Sequence, residues 1–129
     1  MTPELIALAL AALWQILTIG IAGAVMNRDV GRDYNTGPRD REPEFSPLTG
    51  RLRRAVDNHF EGLILFTISV LVVTLSGAAS SFTAVCAFTY LGARILYVPA
   101  YAFGWSPWRS LIWALGQLAS TLMLLVSLF

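Results

Sequence analysis

Three stretches of this sequence carry side chains whose types and spacing suit chemistry. In the first, Arg54, Asn58 and Glu61 are spaced i, i+4 and i+7, which on a helix puts a guanidinium, an amide and a carboxylate on one face, with Asp57 beside them. In the second, Arg94 has Tyr90, Tyr97 and Tyr101 at i−4, i+3 and i+7, a polar and aromatic stripe. In the third, Arg109 and Ser110 follow Ser106 and Pro107, an N-cap and N1 pair that predicts a helix with both residues in its first turn. Arginines recognise carboxylates, a carboxylate recognises an ammonium, and an amide pairs with an amide. Brought together, these groups suit a small anionic or zwitterionic ligand.

The elements that must position them are set by an apolar composition. Of 129 residues, 56% are hydrophobic and 13% charged, and the mean hydropathy is +0.63, outside the range of a water-soluble domain of this size. Nine arginines, with no lysine, face eight acids, so the net charge of +1 gives no basic face for nucleic acid. One cysteine, Cys86, excludes a disulfide framework, and one histidine, His59, makes a metal site within the chain improbable. The apolar run after Met1 carries Glu4 and no basic leader, so it reads as a first membrane helix and not as a signal peptide.

A bilayer core about 30 Å thick takes roughly 20 helical residues. Four segments meet that length, at about 4–26, 52–75, 81–103 and 107–129, within a single membrane domain covering 1–129. The links between the second, third and fourth are too short for anything but antiparallel neighbours, which predicts an all-α, up-and-down bundle of four transmembrane helices. Segment 27–50 is polar and rich in proline and glycine, and reads as an extramembrane loop. Seven arginines (28, 32, 39, 41, 51, 53 and 54) lie in it or just after it, which places the loop in the cytoplasm and both termini opposite, in a multi-pass membrane protein.

Depth then singles out the polar residues. The apolar part of the second segment, 62–75, covers only about 21 Å at helical rise, so Asn58 and Glu61 must enter the membrane edge if it is to cross. Arg94 lies about 14 Å along the third helix from its loop-side end, further than an arginine comfortably reaches to water, and should face protein or a wet cavity. Pro99 inside that helix predicts a kink. Other readings stay open: Arg53 or Arg54 with Asp57 as surface ion pairs, Ser110 bonded to its own helix, His59 and Cys86 as core residues, and Tyr90 and the tryptophans as packing or interface anchors.

The sequence resembles the family of membrane-associated proteins in eicosanoid and glutathione metabolism (MAPEG), particularly its short bacterial members. The resemblance runs essentially the whole chain and is most specific over Arg51 to Phe66 (RLRRAVDNHFEGLILF); Arg94 to Tyr101 (RILYVPAY) looks like the helix 3 motif and Arg109-Ser110 like the start of helix 4. It implies a homotrimer in a bacterial inner membrane, with glutathione as co-substrate, bound between protomers at the cytosolic side. By position, Arg54, Asn58 and Glu61 would hold the tripeptide, Arg94, Tyr97 and Tyr101 would complete the site, and Arg109 and Ser110 would be catalytic, Arg109 stabilising the thiolate.

The implied activity is that of a glutathione-dependent membrane transferase or peroxidase acting on a lipophilic small molecule or lipid, with no metal. Tyr97 stands where the family often has histidine, and Trp113 replaces an aromatic hydroxyl, so prostaglandin or leukotriene synthesis is not implied. The alternative from a different class is a non-catalytic membrane protein whose same polar site binds an anionic lipid or fatty acid. A small multidrug exporter fits the helix count but lacks a mid-span carboxylate in the first helix.

Overall fold

The computed structural model describes all residues, 1–129, as five helices and no strands. Four are long and apolar enough to cross a membrane: α1 (Pro3–Val30), α3 (Pro47–Leu75), α4 (Ser81–Ala102) and α5 (Trp108–Val126); α2 (Arg32–Thr36) is a short turn of helix.

Each start has a local cause. The Thr2 hydroxyl accepts from Leu5 N at 3.4 Å with Pro3 at N1, and the Ser46 hydroxyl accepts from Thr49 N at 3.3 Å with Pro47 at N1. Ser80 and Thr83 cap α4 reciprocally, Thr83 Oγ1 accepting from Ser80 N at 2.8 Å and Ser80 Oγ from Thr83 N at 3.3 Å. The Thr83 hydroxyl also donates to Glu4 Oε1 at 2.6 Å, which ties the start of α1 to the start of α4.

Segment 27–50, expected as a loop, is partly helical. Helix α1 continues past Met26 to Val30 and stops at Gly31, whose φ of 80° is costly for any residue with a Cβ. Helix α3 begins at Pro47, ahead of the expected 52, where Ser46-Pro47 supplies the cap. Hydropathy marks where a helix leaves the hydrocarbon, and not where its hydrogen bonding ends. The intervening chain is tied down: Ser46 N donates to Asp29 Oδ2 at 2.8 Å, the Asn35 amide donates to Asn27 Oδ1 at 2.7 Å, and the Tyr34 hydroxyl donates to Arg41 O at 2.6 Å.

At 1.5 Å per residue, the 29 residues of α3 extend about 43 Å, well beyond the hydrocarbon thickness. Counting about 20 residues back from Leu75 reaches Val56, so Asn58 and Glu61 fall inside the span near its loop end. Helix α4 runs through Pro99, with Phe103 N donating to Pro99 O at 2.9 Å.

The helices meet along small residues. On α1 the buried positions Ala7, Ala11, Gln15, Thr18, Ala22 and Met26 recur every three or four residues, a narrow stripe that lets α3 and α4 approach closely. Phe66 of α3 stacks on Tyr90 of α4 with ring centroids 3.9 Å apart, and the Ser69 hydroxyl lies 3.1 Å from both the carbonyl and the hydroxyl of Ser120 on α5. Only 31 of 129 residues are buried, while leucines and isoleucines such as Leu13, Ile16, Ile64 and Leu118 point outward, an apolar exterior that suits lipid better than water.

Candidate functional site

Helices α3, α4 and α5 bring the three chemical stretches together near the loop end of the bundle. Arg54, Asn58 and Glu61 share one face of α3 as their spacing predicts. Tyr101, in the last turn of α4, is the hub: Arg54 Nε donates to its hydroxyl at 3.0 Å, and the guanidinium carbons of Arg54 and Arg109 lie 5.6 and 4.7 Å from its ring centroid. Tyr97 packs edge-on to Tyr101 at 5.6 Å. The aromatic faces give both guanidiniums a favourable partner.

Two hollows open beside this hub, each about 220 Å³. The first is polar, walled by Arg54, Asp57, Asn58 and Glu61 with Tyr97, Tyr101 and Arg109. The second is walled by Asn58, Tyr97 and Arg109 together with Ser110 and Trp113 of α5. Asn58, Tyr97 and Arg109 are common to both. Arg109 thus stands where a polar compartment meets one bounded by an outward-facing tryptophan.

Arg94 lines neither hollow. It is 1% exposed, with one terminal nitrogen donating to Asn58 Oδ1 and the other to Gln117 Oε1, both at 3.0 Å, and its guanidinium carbon lies 5.1 and 5.7 Å from the ring centroids of Tyr90 and Tyr97. Of the two expectations, protein or a wet cavity, both terminal nitrogens meet protein, and its contact with a ligand would be indirect. Because a guanidinium only donates, it fixes the Asn58 carbonyl inward and leaves the Asn58 NH2 as the group available to the hollows. Room for it comes from Gly62, where a Cβ would stand 1.9 Å from an Arg94 nitrogen.

The entry to α5 differs from expectation. Pro107 takes the N-cap place, with no side-chain cap, and Arg109 N donates to Trp105 O at 2.9 Å. Ser106 lies one position too early, because a preceding turn already supplies the acceptor. Ser110 N likewise donates to Pro107 O at 3.1 Å, so the charge that this helix offers the site is chiefly the Arg109 side chain.

Sequence reasoning did not find Gln117, Trp14, whose Nε1 donates to Arg94 O at 3.2 Å, or the role of Gly62. Gln117 carried a usable signal, being an amide well inside an apolar span. Tyr90 is packing, as one reading held, and His59 and Cys86 are buried.

The family model for MAPEG matches residues 4–129. Searches of curated proteins and of solved structures returned no match. With a whole-length family match and four membrane-length helices carrying the motif residues to one end of the bundle, the chain belongs to the MAPEG family of membrane proteins in glutathione and eicosanoid metabolism.

Proposed function

We propose that this protein is a glutathione-dependent membrane transferase or peroxidase acting on lipophilic electrophiles, and that it works as a homotrimer with the loop end of the bundle facing the cytoplasm. The observation that carries the reading is the pair of hollows meeting at Arg109. Arg54 and the Asn58 NH2 suit the carboxylates and carbonyls of a tripeptide, and Glu61 suits its ammonium. Arg54, Glu61 and Asp57 are exposed in a single chain, which fits a ligand covered by a neighbouring protomer.

The thiol would lie at Arg109. Lowering a thiol pKa by about two units takes roughly 2.7 kcal/mol, and a guanidinium at about 4 Å in a partly desolvated site supplies about that much. The thiol proton leaves to solvent; the sulfur then bonds to the electrophilic carbon as the leaving group departs with its electrons. With a lipid hydroperoxide the sulfur attacks the terminal peroxide oxygen instead, the O–O bond breaks to release the lipid alcohol and leave a sulfenic acid, and the thiol of a second glutathione displaces that oxygen as water to form the disulfide. Ser110 in the second hollow can donate a hydrogen bond to the sulfur or to the departing oxygen.

The test is a glutathione titration of the purified protein, following thiolate absorbance, with a conjugation assay on a halonitrobenzene. Saturable binding and turnover, both lost in an Arg54→Ala, Arg109→Ala double variant, are expected. No binding at millimolar glutathione, or a double variant that behaves as wild type, overturns the reading. Co-purified anionic phospholipid that glutathione does not displace would move the assignment to lipid binding in the same site.

A further inference from the structure

Seven buried side-chain atoms lack a hydrogen-bond partner from the protein, and five of them belong to four residues in the interior of the bundle: Gln15 Oε1, both ring nitrogens of His59, the Tyr90 hydroxyl and Arg94 Nε. These residues are 2, 1, 0 and 1% exposed. Native proteins rarely leave so many polar atoms unpaired in one region, and a bilayer supplies no bulk water to satisfy them.

The four residues lie on neighbouring buried turns of α1, α3 and α4. The Arg94 guanidinium lies over the Tyr90 ring, and both approach the Cα–H edge of Gly62: a Cβ there would be 2.6 Å from the guanidinium carbon and 3.0 Å from the Tyr90 hydroxyl. His59 is one turn from Gly62 on the same buried face of α3. Gln15 reaches across from α1, its amide nitrogen donating at 3.2 Å to Val56 O, one turn before His59.

The donor set defines the ligand. Arg94 Nε–H only donates and Gln15 Oε1 only accepts, while a neutral imidazole offers one of each and a phenol offers both. A metal would need more than one imidazole. An anion would meet the Gln15 carbonyl oxygen and the bare imidazole nitrogen. Small neutral molecules that both donate and accept fit every one of these atoms, and water is the one always at hand. Because one water makes at most four hydrogen bonds and the two ring nitrogens point apart, at least two waters are needed.

We infer that Gln15, His59, Tyr90 and Arg94 enclose a structural hydration site in the interior of the bundle, whose waters hold the Arg94 guanidinium turned toward Asn58. His59 is then a positioning residue, acting on the polar hollow through Arg94 and Asn58. Its consequence for glutathione affinity rests on the proposed function; the hydration and the positioning do not.

Because His59 is the only histidine, ¹⁵N-histidine labelling gives ring signals that need no assignment. In water-edited solid-state NMR spectra of the protein in lipid bilayers, the ring should receive magnetisation from bound water. A ring silent to water, or hydrogen-bonded directly to the Gln15 side chain, overturns the hydration site. The positioning role is read as the distance between the Arg94 guanidinium carbon and the Asn58 side-chain carbonyl. It should stay within hydrogen-bonding range in wild type and His59→Gln, and lengthen beyond it in His59→Leu. An unchanged distance in His59→Leu overturns that role. Failure of the wild type to bind glutathione, with these results intact, would fail only the proposed function.

Discussion

Gly62→Ala probes the arrangement most directly. Its new methyl would stand 1.9 Å from an Arg94 nitrogen, 2.6 Å from the guanidinium carbon and 3.0 Å from the Tyr90 hydroxyl. A flexible surface arginine would move aside at little cost. This one is held by Asn58 and Gln117 and packed against two tyrosine rings, so displacement breaks hydrogen bonds to a charged group, each worth about 1.5–3 kcal/mol. Against that, alanine is favoured over glycine in a helix by about 1 kcal/mol. The expected balance is a loss of about 1–3 kcal/mol in unfolding free energy. Release of the Asn58 amide should also weaken glutathione binding by about tenfold or more, equivalent to about 1.4 kcal/mol. Denaturant unfolding in detergent and a glutathione titration read the two effects, with Gly20→Ala as control, since nothing lies within 4 Å of a Cβ there. A Gly62→Ala protein as stable as the control variant, with wild-type affinity, would refute the account of Arg94 as a clamped positioning group.

Three further expectations follow from the same contacts. Arg109→Ala should abolish the thiolate absorbance of bound glutathione and cut kcat about a hundredfold, in proportion to roughly 2.7 kcal/mol of lost stabilisation, with a smaller change in Kd. Tyr101→Phe removes the hydroxyl that takes the Arg54 bond but keeps the ring beneath Arg109, so it should raise the glutathione Kd about fivefold, near 1 kcal/mol, and leave kcat within about twofold. Glu4→Gln weakens the 2.6 Å link to the α4 cap at the far end of the bundle; thermal unfolding should show a loss of about 1–2 kcal/mol while glutathione affinity is unchanged.

The membrane helices were legible because hydrocarbon imposes a length and forbids charge, and the antiparallel order followed from links too short to cross the bundle. The helix ends were less so, since Asn27 to Val30 stay helical in a stretch whose polarity reads as loop. Arg54, Asn58 and Glu61 were readable because helical spacing alone puts them on one face. The depth of Arg94 was readable too, but its function was not. Whether a deep arginine faces a cavity or is clasped by protein depends on Asn58, 36 residues away on α3, on Gln117 of α5, and on the absent side chain of Gly62. Glycine in the motif gives no sign of this, because its contribution is the volume it leaves to another helix.

The charge balance also bears on what the site can hold. Arg54 and Arg109 both lie against Tyr101, a ring that lends each a quadrupole but neutralises neither. Two carboxylates, Asp57 and Glu61, line the same polar hollow. Arg94 adds a third cation behind Asn58, with both terminal nitrogens spent on neutral amides, so its charge is left to act through space. Three guanidiniums against two carboxylates leave an excess of one positive charge around the hollows. A ligand with two carboxylates, one ammonium and an ionising thiol brings two negative charges net, the first of which cancels that excess while the thiolate is drawn to Arg109. A neutral or cationic ligand would leave the arginines unpaired in a partly desolvated site, at a cost that the Tyr101 ring alone does not offset.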